Sequence, residues 1–309
     1  MRIPVVFAMD SVGSAPNYTL KALERMGHET KRITPDEYFE SDPREYDLYF
    51  AQDSGDGIDF RKASDDHLRK TSMWYWDSAW NHKQRSPGDD EMAAYISERG
   101  GWIFHAWRSD LERCARRYLV QRQSLLSVAG DPYIWSDEPA EEKVHDLSLV
   151  GNCYDPGRGY ILNYAQEHCN LFWPGPNSNF FQDAARIYRQ SWAVLHAPTF
   201  FQLPHDVTGE RVDLMQGATM RHYEALCCGV PLVTTPKPDF AELGFEEGVH
   251  IFTWNEVEQI PGAAARAKKI AQGGGVEYAK KLRRFILDGH TYEHRIVTAL
   301  GQLRSAGMI

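Results

Sequence analysis

Two charged residues stand close together where a short helix is expected to begin. Residues 219–229 read TMRHYEALCCG, in which Thr219 can cap the start of a helix and Gly229 can end it. Arg221 and Glu224 then share one face of the first turns, because they lie three residues apart. A cation at a helix start opposes the helix dipole, which favours anions there. The pair is therefore either a simple ion pair or part of a site that receives an anion such as a diphosphate.

The order of apolar segments along the chain predicts where this helix lies. Short apolar runs alternate with helical stretches and cover residues 2–9, 47–52, 72–77, 102–107, 147–152, 170–175 and 193–198. This alternation is typical of an α/β fold with parallel, doubly wound sheets. Because helix N-termini lie at the carboxyl ends of the strands in such sheets, Arg221 and Glu224 are expected at the edge where ligands bind.

Length and one acidic stretch predict two domains. A chain of 309 residues exceeds the usual size of a single hydrophobic core. Residues 135–146, WSDEPAEEKVHD, are acidic and lack apolar periodicity, and the strand–helix pattern restarts after them. We therefore predict two Rossmann-like domains, residues 1–138 and 139–309, that face each other across a central cleft. The last helix could cross back to the first domain.

Composition argues against several classes of function. Hydrophobic residues make up 42% of the chain and charged residues 25%, as in a globular enzyme rather than a disordered protein. A net charge of -9 argues against nucleic acid as the main partner. Asp10 interrupts the first apolar run, so we expect neither a signal peptide nor a membrane span, and a cytoplasmic location. The five cysteines have no CxxC spacing, which argues against disulfides or a zinc site.

Residues 220–243 resemble the signature of the CgeB-like glycosyltransferases, which are relatives of the large group of GT-B enzymes. Those enzymes carry a segment E-A-x-x-C-G-x-P-[LV]-[VI]-x-T, and the matching residues here are Glu224, Ala225, Cys228, Gly229, Pro231, Leu232, Val233 and Thr235. Further similar segments are residues 72–80, 145–158, 187–198 and 290–300, so that the resemblance spans most of the chain. It implies a GT-B fold and the transfer of a sugar from a nucleoside diphosphate sugar to an acceptor hydroxyl.

The resemblance also implies roles for residues of the C-terminal domain. Glu224 would accept hydrogen bonds from both ribose hydroxyls of the donor, and the helix start at Thr219, with Arg221, would face the diphosphate.

Three more residues of the C-terminal domain are candidates for binding the donor. Gly151 lies in the segment 145–158, which is similar to the first strand and loop of the family's donor domain. Arg158 follows that loop and either reaches a phosphate or is a solvated arginine at a helix start. Trp173 ends the next apolar run, where the base lies in the family, or it belongs to the core.

Four residues of the N-terminal domain are candidates for the acceptor side. Gly13 and Ser14 follow the first apolar run and either admit a substrate close to the backbone or form a plain turn. Asp77 and His105 lie near strand ends, where a base could remove the proton of the acceptor hydroxyl. Asp77 is the preferred base, because a lone histidine in an aromatic strand is more often a core residue.

The sequence departs from the family pattern at one position. Many retaining GT-B enzymes have a second glutamate eight residues before the ribose-binding one, and here that position is Gln216. Whether the reaction retains or inverts the configuration at the sugar therefore stays open. The alternative function, a GT-B-like module that binds a nucleotide or glycan without turnover, also stays open. No DxD motif is evident, so we expect no metal and no cofactor beyond the sugar donor. The acceptor is unknown, with nucleic acid, contacted through basic runs such as residues 112–122, as a minority possibility.

Overall fold

The fold is known from a computed structural model. It describes residues 1–7, 14–53, 58–75, 89–151, 153, 156–175, 183–198 and 217–309. The chain divides into two compact units, one formed by Met1–Val128 together with Tyr292–Ile309 and the other by Ala129–Thr291. Within the described ranges, no helix is long and apolar enough to cross a membrane.

The first unit contains a six-stranded parallel sheet. Its strands in chain order are β1 Val5–Val6, β2 Arg32–Ile33, β3 Tyr49–Asp53, β4 Thr71–Tyr75, β5 Trp102–His105 and β6 Gln123–Leu125. Across the sheet the order is β2-β1-β3-β4-β5-β6. Every residue of β4 is buried, as expected for a central strand covered by helices on both faces.

Helices of the first unit follow its strands along the chain. They are α1 Ala15–Arg25, α2 Pro35–Glu40, α3 Asp65–Arg69, α4 Asp89–Glu98 and α5 Arg108–Tyr118, joined by α10 Tyr292–Ser305 from the end of the chain. The last helix packs on α1, and the rings of Tyr18 and Tyr292 meet at 5.4 Å. The C-terminal helix therefore completes the core of the N-terminal unit.

The second unit repeats the same architecture with five parallel strands. These are β7 His145–Ser148, β8 Leu171–Phe172, β9 Ser191–Leu195, β10 Leu232–Thr234 and β11 Ile251–Thr253, with helices α6 Pro156–His168, α7 Ala184–Arg189, α8 Met220–Cys227 and α9 Ile260–Gly289. The strand order is β11-β10-β9-β7-β8. One buried apolar cluster joins β7 and β9 to the helices α6 and α9.

Two glycines shape the helices of the second unit. Gly229 follows α8 with φ +70°, a left-handed conformation that ends the helix at low cost only for glycine. Gly275 interrupts α9 with φ 51° and ψ -138°, so that this long helix is kinked in its GGG segment.

The two ends of the second unit lie side by side. The Gly130 N–H donates to the His290 carbonyl at 3.0 Å, and Gly130 forms a parallel bridge with Thr291. Arg283 of α9 donates to the carbonyl of Cys227 at the end of α8 at 2.7 Å, which satisfies a carbonyl that has no partner within the helix. The segments that begin and end the unit are thus bound to one another and to α8.

Candidate functional site

The strand order of the second sheet creates a crevice between β7 and β9. From β7 the chain moves outward to β8, whereas from β9 it moves the other way to β10. The loops after β7 and β9 therefore diverge, and ligands of open α/β sheets bind at such a point, outside the carboxyl ends of the strands. Gly151 lies three residues after the end of β7, at this edge.

The start of α8 lies at the same edge of the sheet. The Arg221 guanidinium in its first turn donates from Nη2 to the Val150 carbonyl at 2.6 Å, just past β7. The neighbouring His222 contacts Thr234, the last residue of β10, through its Nε2 at 3.1 Å. The helix N-terminus, with its partial positive charge, is therefore directed toward the crevice.

Arg221 does not form the ion pair that the sequence left open. Within the described part of the chain its guanidinium bonds the Val150 carbonyl and, through Nε at 3.3 Å, the Tyr188 hydroxyl, but not Glu224. Tyr188 is itself buried on α7 and stacks on Trp135. The guanidinium is thus held at the crevice by neutral hydrogen-bond partners, and the buried Glu224 carboxyl acts on it only through space.

Gly151 lets two arginines approach one backbone position. Its φ is +154°, and a Cβ atom there would lie 2.6 Å from Arg221 Nη2 and 3.3 Å from Arg158 Nη2. Arg158 lies in the first turn of α6 and is only 7% exposed. Two guanidinium groups that converge in this way repel each other, and an anion between them would relieve that repulsion.

Glu224 is a buried acid one turn after Arg221. The residue is 6% exposed, and within the described ranges no hydrogen-bond donor reaches its carboxylate. Burial raises the pKa of Glu224 to about 7, and the nearby Arg221 charge opposes this rise. A carboxylate that is ionised near neutral pH but lacks donors can accept hydrogen bonds from a ligand's hydroxyl groups.

Trp173 and Thr219, the other two donor-side candidates, lie at the same edge. The Trp173 indole N–H donates to the Gly151 carbonyl at 3.3 Å, while its ring packs on the core of the second unit. Thr219 is the N-cap of α8. The structure therefore brings together all six donor-side candidates, Glu224, Arg221, Arg158, Gly151, Trp173 and Thr219, although their roles toward a ligand stay predictions.

Candidates on the acceptor side are described in part. Asp77 and Gly13 lie outside the described residues. Ser14 is the N-cap of α1, and its hydroxyl accepts a hydrogen bond from Asn17 at 3.3 Å. Both observations fit its interpretation as a turn residue, and a substrate role for Ser14 stays a prediction.

His105 ends β5 and is buried in the first unit. Its Nε2 lies 2.9 Å from the Gln123 side-chain oxygen, and its ring stacks on Tyr75. Burial lowers the pKa of His105 to about 4, so the ring is neutral near pH 7. The contacts are those of a satisfied core histidine, and a catalytic role stays a prediction.

One residue of the site was missed by sequence reasoning. His222 lies at the third position of α8, and its Nδ1 accepts a hydrogen bond from the Thr219 N–H at 3.0 Å. A glutamate or glutamine usually occupies this position of a capping box. The spacing T-x-x-H was the available signal. Among the described residues, no cluster of three or more His, Cys, Asp or Glu side chains could hold a metal ion.

Comparison with solved structures identifies the fold. The chain is similar to a glycosyltransferase from Rickettsia africae, with 9% identity, 99% of this chain and 98% of that chain covered and a TM-score of 0.64. It is also similar to HepE from Anabaena in complex with UDP and glucose, with 12% identity, 97% and 99% coverage and a TM-score of 0.60. For sucrose-phosphate synthase from Thermosynechococcus elongatus, identity is 11%, coverage 98% of both chains and the TM-score 0.58.

These similarities and the two parallel sheets confirm the predicted GT-B class with Rossmann-like domains. No curated protein sequence matches the chain. A family model described as glycosyl transferase-like matches residues 138–301, which is more than half of the chain and includes every donor-side candidate. The chain therefore belongs to the glycosyl transferase-like family.

Proposed function

We propose that this protein transfers a sugar from a nucleoside diphosphate sugar to an acceptor hydroxyl, as a CgeB-like member of its family. The observation that carries the proposal is the convergence of Arg221 and Arg158 at Gly151, one turn from the buried Glu224. Two cations and a helix start suit a diphosphate, and the buried carboxylate suits a ribose with two adjacent hydroxyls. HepE, which shares the fold, is described in complex with UDP and with UDP and glucose.

The proposed reaction needs charge stabilisation on the donor side. The bond between the sugar's anomeric carbon and the diphosphate oxygen breaks, and the leaving diphosphate gains negative charge. Arg221, Arg158 and the first amides of α8 would stabilise that charge without an obligatory metal ion. Glu224 would hold the ribose and so fix the position of the reacting phosphate.

On the acceptor side, a base would take the proton of the attacking hydroxyl. We assign this role to Asp77, with His105 as the second candidate, because the oxygen must lose its proton as the new bond forms. With Gln216 in place of a second glutamate, retention or inversion is not assigned. A cytoplasmic location is part of the proposal, since all five cysteines are free thiols in the structure, as in a reducing compartment.

A thermal-shift and turnover experiment tests the proposal. The protein is incubated with UDP, GDP, ADP, CDP and dTDP and with the corresponding sugar donors. A ligand at a hundred times its dissociation constant should stabilise the protein by about 2.7 kcal/mol. Release of free nucleoside diphosphate from a donor sugar identifies an enzyme, whereas stabilisation without release identifies a binding module. A folded protein that responds to none of the nucleotides would contradict the proposal.

Nucleotide affinity is expected to fall below about pH 7. Ribose hydroxyls donate to the ionised carboxylate, and burial raises the pKa of Glu224 to about 7 in the unliganded protein. The dissociation constant should therefore be constant above pH 7 and rise up to about tenfold per pH unit below it. Isothermal titration with the bound nucleoside diphosphate at several pH values measures this, and Glu224→Gln reports the titration of the ligand's own phosphates. Equal pH profiles for both proteins would contradict the role of Glu224.

A further inference from the structure

The two backbone N–H groups that precede α8 both donate hydrogen bonds to side chains. The Ala218 N–H donates to the carboxylate of Asp239, at 2.9 Å from Oδ2 and 3.2 Å from Oδ1. The Thr219 N–H donates to Nδ1 of His222 at 3.0 Å. These two contacts fix the direction in which the chain enters the helix, and Met220 and Arg221 follow immediately.

The second ring nitrogen of His222, Nε2, contacts the sheet. Because Nδ1 accepts from a peptide N–H, the neutral ring carries its proton on Nε2 and donates it to Thr234 Oγ1 at 3.1 Å. The Thr234 oxygen in turn lies 3.2 Å from Nδ1 of His196, just past β9. His222 and Thr234 have no exposed surface, and the His196 and His222 rings are 4.5 Å apart.

This chain of contacts requires His222 to be neutral. Burial, together with the charges of Lys237 and Arg221, lowers the pKa of His222 to about 3. A protonated ring would turn an N–H toward the Thr219 N–H and break the contact. The neutral tautomer with the proton on Nε2 is therefore the form that can cap the helix at working pH.

We propose that His222 is a positioning residue, whose Nδ1 holds the start of α8 in the orientation that presents Arg221 and the first helical amides to the donor's diphosphate. The proposal rests on the function proposed above. It gives His222 an indirect role in ligand binding, exerted through the start of α8, because the ring is fully buried and would not contact the ligand itself. Thr234 acts one step further away, because its hydroxyl selects the tautomer that leaves Nδ1 free to accept.

A purely structural role for His222 is the competing explanation. Its ring also packs against Phe240 and Phe245, with centroid separations of 5.2 Å and 6.1 Å, so its loss will lower stability in either case. The test must therefore compare variants that lose stability and the contact to Thr219 with variants that lose stability but keep this contact.

Four variants make this comparison. His222→Leu removes the contacts of the ring with the Thr219 amide and hydroxyl and with Thr234. His222→Gln restores the acceptor, since glutamine at this position of a helix reaches back to the N-cap amide. Thr234→Val removes the hydroxyl that selects the tautomer. Ser191→Ala is the matched control, because its buried hydroxyl bonds the Ile187 carbonyl at 2.8 Å at the opposite end of the same sheet. All are measured with the nucleoside diphosphate that the unmodified protein binds most tightly.

We expect His222→Leu to raise the dissociation constant about tenfold and Thr234→Val about threefold, which corresponds to one lost or weakened hydrogen bond. His222→Gln should stay within about threefold of the unmodified protein and Ser191→Ala within about twofold. Amide hydrogen exchange of the peptide that contains Thr219 should accelerate in His222→Leu but not in Ser191→Ala.

The outcomes separate this inference from the proposed function. If the unmodified protein binds a nucleotide and His222→Leu, folded, binds it equally well, the positioning role is overturned while the proposed function stands. If His222→Gln binds the nucleotide as weakly as His222→Leu does, the positioning role is also overturned, because restoring the hydrogen bond to the Thr219 amide then does not restore affinity. If the unmodified protein binds no nucleoside diphosphate, both the function and this inference fail.

Discussion

Replacing Glu224 with glutamine is expected to weaken binding of the nucleoside diphosphate by about a hundredfold and, at the same time, to stabilise the unliganded protein. Hydrogen bonds to a charged acceptor contribute about 1.5–3 kcal/mol each, and a ribose offers two donors. Glutamine keeps the shape of the side chain but offers one neutral acceptor. Isothermal titration of both proteins at pH 8 measures the loss, which corresponds to about 2.7 kcal/mol.

The gain in stability follows from the sign of the pKa shift. Burial raises the pKa of Glu224 from 4.5 to about 7, so between these two values the folded state binds more protons than the unfolded state. The free energy of unfolding therefore falls by about 3 kcal/mol as pH rises from 4.5 to about 7. It stays at this lower value above pH 7. Glutamine does not ionise and removes that cost.

Denaturant unfolding at pH 5 and pH 8 checks this second effect. The variant should be more stable than the unmodified protein at pH 8, and the difference should be small at pH 5. Glu167→Gln, on the exposed face of α6, is the control and should change neither stability nor affinity. A Glu224→Gln variant that binds the nucleotide normally would refute the assignment of the ribose to this carboxylate.

Replacing Gly151 with alanine is expected to weaken nucleotide binding by about thirtyfold, because the new methyl group displaces Arg221 and crowds Arg158. The new Cβ atom would lie 2.6 Å from Arg221 Nη2, closer than such atoms approach, and 3.3 Å from Arg158 Nη2, which is a tight contact. Both atoms are the ends of flexible side chains, so they can move aside and the protein should still fold. The Arg221 contact to the Val150 carbonyl would then be lost.

The control must reproduce the backbone strain without the arginines. Gly248 has φ +78° and no atom within 4 Å of the position that a new methyl group would take, so Gly248→Ala tests the strain alone. Both variants should lose roughly 1–3 kcal/mol of stability, while only Gly151→Ala loses affinity. If Gly151→Ala is folded and binds normally, Arg158 and Arg221 do not hold the ligand at this position.

Much of the fold could be predicted because central parallel strands leave a clear sequence signal. β4 is buried throughout and reads as an uninterrupted run of nonpolar and small residues. By contrast, β6 lies at an edge of its sheet with all three residues half-buried, and β2 has only two residues. Neither strand produces an apolar run, so neither could be predicted.

The candidate site could be predicted only in part. Thr219 caps the helix that contains Arg221 and Glu224, so their proximity follows from helix geometry and their roles from the family resemblance. Whether Arg221 turns to Glu224 or to the Val150 carbonyl depends on the neighbouring strands β7 and β9, which no local pattern reveals. The same holds for the approach of Arg158 and Arg221 to Gly151.

The paired ends of the second unit have a consequence for how such proteins can be recombined. Because the Gly130 N–H bonds the His290 carbonyl at 3.0 Å, the unit leaves and rejoins the rest of the chain at adjacent points. The first unit is split in sequence, with α10 supplied from the far end, whereas the second is one uninterrupted segment. The second unit, in which we propose that the nucleotide binds, can therefore be exchanged between relatives as one contiguous segment, and we expect such an exchange to change the donor while the first unit keeps both of its pieces.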